Sequence, residues 1–322
     1  MRKLLFLSAL SLAATATTQT HSADFPQKPV TILVGFPPGT STDNVARIIG
    51  DDLSKKWGQP VIVDNKPGVG GSLAVSQLKR SKPDGYTLAL SATAPLNINP
   101  QLNKQLTYDP LKDFSYISQT TWLPYMLVTS TKSQITSFEQ LKKAAIAKPE
   151  GLTYSTIGIG TTSHLLMEIL QERTGIQLRH IPYQGSSQSQ TDVIAGNVDM
   201  TFDTVVSTMP HVKSNKLNAI AVSTAQPTPL APTIPSLQQQ GVTNFDVGAW
   251  LGFVAPAGTP DVIVKKLHAD ISDTLNNPQV KKRLENLGSE VIPSDSPKKF
   301  EQFVFENYKM WGDVLKKVGV QQ

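Results

Sequence analysis

Short apolar, β-branched runs alternate along this chain with longer stretches whose apolar positions recur every three to four residues. "VTILVGF" (30–36) reads as a strand and hands over to a helical pattern from Asp43 to Trp57. "PVIVDN" (60–65) leads through the glycine-rich "KPGVGGS" (66–72) to a helix from Leu73 to Arg80, and "YTLALS" (86–91) follows as a third strand. The pattern returns further on. "LTYSTI" (152–157) precedes a helix from Ser163 to Thr174, "LRHIPY" (178–183) precedes one from Ser187 to Ala195, and "VDMTFD" (198–203) and "LNAIAVS" (217–223) add strands. Parallel neighbours need crossovers of a dozen or more residues, so this alternation predicts an α/β fold with largely parallel strands.

The segment from Ala225 to Thr243, rich in Pro and Gln, reads as a long surface connection. Helical patterns then cover Pro260 to Leu275, Pro278 to Leu287 and Ser296 to Val318; Pro297 near the start and Gly319 beyond the end of the last suit a helix. Exposed-looking prolines and pattern change-overs near 123–127 and 222–226 suggest two crossings between lobes. They divide the chain into a discontinuous first lobe, 24–124 plus 225–322, and an inserted second lobe, 125–224.

Arg2 and Lys3 ahead of the apolar run Leu4 to Ala14 mark residues 1–23 as a secretory signal peptide, with cleavage after Ala14-x-Ala16 or nearer Ala23. The run is too short to span a bilayer, and no later stretch is apolar enough to do so. Export to a Gram-negative periplasm follows as the expectation. Without the leader, Lys+Arg falls from 30 to 28 against 25 Asp+Glu, a net charge of +3 with no basic stripe, so nucleic acid is not an expected partner. The absence of cysteine excludes disulfides, a thiol nucleophile and thiolate-held metal. His164, His180, His211 and His268 form no i,i+4 pair, so no metal site is expected.

Two strand-to-helix loops carry the candidate chemistry. "GFPPGTSTD" (35–43) has no phosphate-loop lysine, and "STIGIGTTSH" (155–164) lacks the third glycine of a dinucleotide loop, so no cofactor is expected. In the first, Thr40, Ser41, Thr42 or Asp43 could cap the helix or meet a ligand. In the second, Gly158 and Gly160 allow close backbone approach, while Thr161, Thr162 and Ser163 add neutral donors. One such loop per lobe would aim two helix N-termini into a shared cleft, an arrangement suited to a carboxylate-bearing solute. His164 and Asp203, which ends a strand, are the acid–base candidates of the competing reading, an exported α/β enzyme acting on a carboxylated substrate. No complete nucleophile–base–orienter set accompanies them.

"FPQKPVTILVGFPPGTSTDNVARII", "GQPVIVDNKPGVGGSLA", "KPDGYTLAL", "YDPLKDFSYIS", "HIPYQGSSQSQTDVIAGNVDM" and "GFVAPAGTP" occur in order from Phe25 onward. Together they resemble the Bug proteins, periplasmic solute-binding subunits of tripartite tricarboxylate transporters. The resemblance implies a two-lobed type II periplasmic-binding-protein fold with two crossover strands, a non-enzymatic role, a monomer, and delivery of a small carboxylate to membrane permease subunits. It implies first-loop contacts from Phe36, Pro38, Gly39, Thr40, Ser41, Thr42 and Asp43, with Thr93 nearby. Second-lobe contacts would be Ser155, Thr156, Gly158, Gly160, Thr161 and His164, joined by Tyr183, Gly185, Ser186 and Asp203. Thr40 stands where the family usually has a second glycine, adding a Cβ and a hydroxyl where backbone should approach the ligand. Phe36, Ile157, Ile159 and Trp122 are expected to form an apolar wall if they face the cleft.

Overall fold

The computed structural model describes residues 25–318. The expected leader over 1–23 and the helix stop at Gly319 lie outside the described residues. The first half opens with β1 (Val30–Val34), α1 (Ser41–Trp57), β2 (Val61–Asn65), α2 (Ser72–Lys79), β3 (Thr87–Ala92) and the single turn α3 (Asn99–Leu102). Helix α1 shows why these elements form where they do. Thr40 caps it, Asp43 sits in its first turn, Lys55 and Lys56 sit in its last, and Gly58 ends it at φ 61°. Val45, Ile49 and Leu53, four apart on one face, are fully buried.

Next comes β4 (Phe114–Ser130), a strand of 17 residues that sequence periodicity does not announce. It is followed by α4 (Phe138–Ala147), β5 (Thr153–Thr156), α5 (Thr162–Thr174), β6 (Arg179–Pro182), α6 (Ser186–Ala195), β7 (Met200–Thr204), α7 (Val205–Lys213) and β8 (Leu217–Val222). The chain then runs through β9 (Gly248–Pro256), α8 (Asp261–Asn276), α9 (Pro278–Asn286), β10 (Glu290–Val291) and α10 (Pro297–Val318).

The strands run in the order β2-β1-β3-β9-β4-β7-β5-β6, with β8 and β10 also paired to β4. Strand β4 belongs to both lobes. Its residues Phe114 to Pro124 pair antiparallel with β9, whereas Tyr125 to Ser130 pair antiparallel with β7 and β8. Within each lobe the outer strands are parallel, β1 to β2 and β3 in one and β5 to β6 and β7 in the other, as the alternation predicts.

The residues after β8 are bonded back to β8 and its neighbours. Leu237 N–H bonds Val222 O at 3.1 Å, Gln240 reaches Ile220 O, Arg173 donates to Asn244 O at 2.6 Å, and Phe245 stacks on Phe202. The connection after β8 therefore packs on the second lobe, with Leu237 and Phe245 fully buried rather than on the surface. Strand β9 then begins at Gly248, opposite Pro124 of β4. There Tyr125, Ser223 and Val247 are joined: Ser223 N–H donates to Tyr125 O at 2.9 Å, and Val247 N–H to Ser223 O at 3.0 Å. No helix among the described residues is long and apolar enough to cross a membrane.

Candidate functional site

The loop after β1 turns into α1 through a tight internal network. Thr40, at φ −72°, accepts Asp43 N–H at 3.5 Å and donates its hydroxyl to Pro37 O at 2.8 Å. Its hydroxyl is thus used inside the loop, its Cβ needs no strained backbone, and Gly39 at φ 82° supplies the left-handed residue. The first-turn amides of Ser41 and Thr42 stay without a partner among the described residues. Asp43 is buried behind the loop. Burial would raise its pKa, but hydrogen bonds from Arg47, Gly39 N–H at 2.8 Å and Asn65 at 2.9 Å hold it below the usual carboxylate range.

The loop after β5 is built the same way. Thr161 caps α5, accepting His164 N–H at 3.4 Å and donating to Gly158 O at 2.7 Å. Gly160 N–H donates to His164 Nδ1 at 3.2 Å. His164 stacks on His180 at 4.3 Å, and His180 stacks on Tyr154 at 4.8 Å. Glu168 closes the row, 3.7 Å from His164 Nε2 and accepting the Tyr154 hydroxyl. Thr156 Oγ1 lies 2.7 Å from His180 Nε2. Burial pushes both imidazoles down to about 4, the charge of His164 adding to the effect on His180, so both rings are neutral near pH 7.

Helices α6 and α7 also start at this level. Gly185, at φ 147°, gives α6 no side-chain cap, so its first amides have no side-chain partner at the cap. Asp203, fully buried at the end of β7, accepts Gln190 Nε2 at 2.8 Å and Thr204 N–H at 2.7 Å. Burial pushes its carboxyl above the usual range, while bonds from Gln190, Thr204 N–H, Ser186 and Ser207 oppose the shift. Asp203 thereby ties together the starts of α6 and α7.

Between the lobes lies a groove of adjoining cavities. A central one of about 70 Å³ is bordered by Phe36, Thr40, Ser41 and Thr42 from the first lobe and by Thr161, Gly185, Ser186 and Asp203 from the second. Leu123 and Tyr125 of the crossover strand, Ile157, and Ala249 and Leu251 of β9 add an apolar side to its wall. A chamber of about 660 Å³ adjoins it, bordered by Pro38, Gly39, Asn44, Gln188 and His211. A third, of about 340 Å³, meets Phe36, Val69, Gly158, Ile159 and Tyr183. Pro37 and Gln184 border all three, and no Lys or Arg borders any of them. Ser41 Oγ comes within 3.3 Å of Thr204 Oγ1, a contact across the groove.

Not every sequence candidate reaches it. Asp43, Thr93, Ser155, Thr156, Gly160 and His164 sit behind the lining, their polar groups bound to protein: Thr93 Oγ1 accepts Trp250 N–H at 2.9 Å, and Ser155 Oγ pairs with Ser189 at 2.7 Å. Trp122 does not join the apolar wall; its ring packs on Gly248, where a Cβ would come within 2.7 Å of it. Gln184, Thr204 and Tyr125 escaped sequence reasoning. The first two directly follow the candidates Tyr183 and Asp203, whereas Tyr125 gives no local signal, because only the crossing of β4 brings it to the groove.

Two α/β lobes joined through β4, with helix starts from both facing one groove, define a two-lobed solute-binding protein. The profile of the tripartite tricarboxylate transporter family receptor matches residues 45–320, and the chain belongs to that family. Among its relatives, Protein BugT of Bordetella pertussis is 30% identical, over 100% of this chain and 99% of its own. Rpa4515 of R. palustris, solved with adipate, superposes with a TM-score of 0.88 at 29% identity, covering 92% of this chain and 99% of that one. MatC of Rhodopseudomonas palustris, solved with malate, gives 0.84 at 30% identity over 90% and 100%.

Proposed function

We propose that this protein captures a small carboxylate in the interlobe groove and hands it to the permease subunits of a tripartite tricarboxylate-type transporter. The observation that carries the reading is the convergence of α1, α5, α6 and α7, whose starts all border the central cavity while no cationic side chain does. Helix starts offer N–H donors and positive dipole ends, which hold an anion without the desolvation cost of a buried ion pair. Relatives solved with adipate and malate bind dicarboxylates in the same fold. Residues 1–23 would direct export to the periplasm. The lobes would comprise 25–124 with 248–318, and 125–247, in a protein working as a monomer.

Binding rather than chemistry is supported by the two acid–base candidates. His164 accepts a backbone amide within a stack, and Asp203 accepts several donors at once, so neither is free to carry a proton to a ligand. The contacts to ligand would come from Ser41, Thr42 and Ser186 and their amides. Methyl esterification of a bound acid should weaken binding by about 1.5–3 kcal/mol, the worth of a hydrogen bond to a charged group. Calorimetry giving equal affinity for acid and ester would refute the carboxylate cradle.

A further inference from the structure

The chamber on the Phe36 side of the groove is an unusual surface for a protein that handles small polar acids. Val69 and Ile159, from opposite lobes, are 55% and 50% exposed there, with Phe36, Ile157 and Tyr183 around them. No Asp, Glu, Lys, Arg or His borders it.

Val69 is also strained. It sits at φ 49°, a left-handed conformation that a β-branched side chain disfavours. The surroundings enforce it. The amide nitrogen of Asn99, a residue only 5% exposed, lies 3.1 Å from Val69 O, 3.1 Å from Gly70 O and 2.9 Å from Ser72 Oγ, clamping the turn. On the other side the turn abuts β1's exit so closely that a Cβ on Gly35 would fall 2.4 Å from Gly71 O. Buried hydrogen bonds thus hold an apolar side chain outward in a conformation it would not otherwise choose.

The chamber is continuous with the carboxylate cavity, since Phe36, Pro37, Ile157 and Gln184 border both. Resting on the carboxylate reading above, we infer that the protein's ligand is a monocarboxylate with an apolar body of several carbons. Its head lies at the helix starts and its body enters the chamber between Val69 and Ile159. A second carboxylate at the far end of the ligand would meet no cation there. Asn99, Asn103 and Gln184 also border the chamber, so apolar side chains there stand among a few placed amides, the usual make-up of a pocket that reads ligand shape.

The test is calorimetry with straight-chain monocarboxylates from acetate to hexanoate, alongside malate, citrate and methyl hexanoate. Affinity should rise roughly fourfold per added methylene, the equilibrium equivalent of burying one CH₂. Ile159→Asn, at an exposed position, should flatten that rise. Val69→Gly should flatten it too while raising the melting temperature, because glycine accepts the left-handed backbone; a purely structural role for Val69 would not combine these two effects. A flat alkanoate series in the wild-type protein, with malate or citrate bound more tightly, would overturn the inference and leave the carboxylate reading standing. Methyl hexanoate binding as tightly as hexanoate, with the chain-length rise intact, would overturn the carboxylate reading instead.

Discussion

At the residue scale, the row Tyr154, His180, His164 and Glu168 beneath the second-lobe loop links protonation to loop structure. Gly160 N–H is held by an unprotonated His164 nitrogen, and protonation of both rings would bring like charges face to face at 4.3 Å. Burial lowers both pKa values to about 4 from the ordinary 6.5. Between those values the unfolded chain binds more protons than the folded one, so the stability these rings contribute is present above pH 6.5 and is lost as pH falls toward 4. His180→Phe, which keeps the stack and removes one titrating ring, should make the melting temperature less dependent on pH across that window. An unchanged profile would show that His180 is not held neutral by the fold.

At the element scale, the long helix α10 is seated on β9 through a missing side chain. A Cβ on Gly252 would come within 2.2 Å of the Phe300 ring, which is fully buried and packed edge-on against Trp250 at 5.4 Å and Tyr116 at 5.6 Å. With nowhere for that ring to move, Gly252→Ala should destabilise the protein by roughly 1–3 kcal/mol, the usual cost of overpacking. Chemical denaturation measures it. Because the clash lies on the face of β9 away from the groove, affinity for ligand should change far less than stability. A variant as stable as the wild type would mean that α10 is not fixed against β9 as described.

On the scale of the whole molecule, the lobes meet across the groove at Ser41 and Thr204 and are joined at the Tyr125–Ser223–Val247 junction. Further contacts join them, Thr228 donating to Glu290 Oε1 at 2.6 Å and Val206 lying against Gly288, and closure would turn about the junction. A ligand that touches helix starts from both lobes binds the closed form better and shifts the population toward it. Small-angle scattering should therefore give a smaller radius of gyration with a saturating carboxylate than without. An identical profile under both conditions would place the protein in the closed form throughout, or the ligand within one lobe.

What local sequence determined here is what local physics governs. Apolar periodicity located β1, α1, β2, α2 and their second-lobe counterparts, since a strand's alternation and a helix's face are written over a few neighbouring residues. Hydroxyls and glycines at "GTST" and "GIGTTS" marked the two loops, because a helix start announces its own capping chemistry. The rest depended on distant partners. Strand β4 reads poorly because it is buried almost throughout, so its polar and apolar positions do not alternate. The packing of 225–247 on the second lobe rests on backbone bonds to Val222 and on a ring meeting Phe202, which Pro and Gln content cannot disclose. Asp43, Thr156 and His164 belong to the right loops by sequence yet lie behind the lining. Whether a polar group serves a ligand or its own loop is settled by which partners the fold brings to it, and those come from Arg47, Asn65 and His180, four to twenty-four residues away.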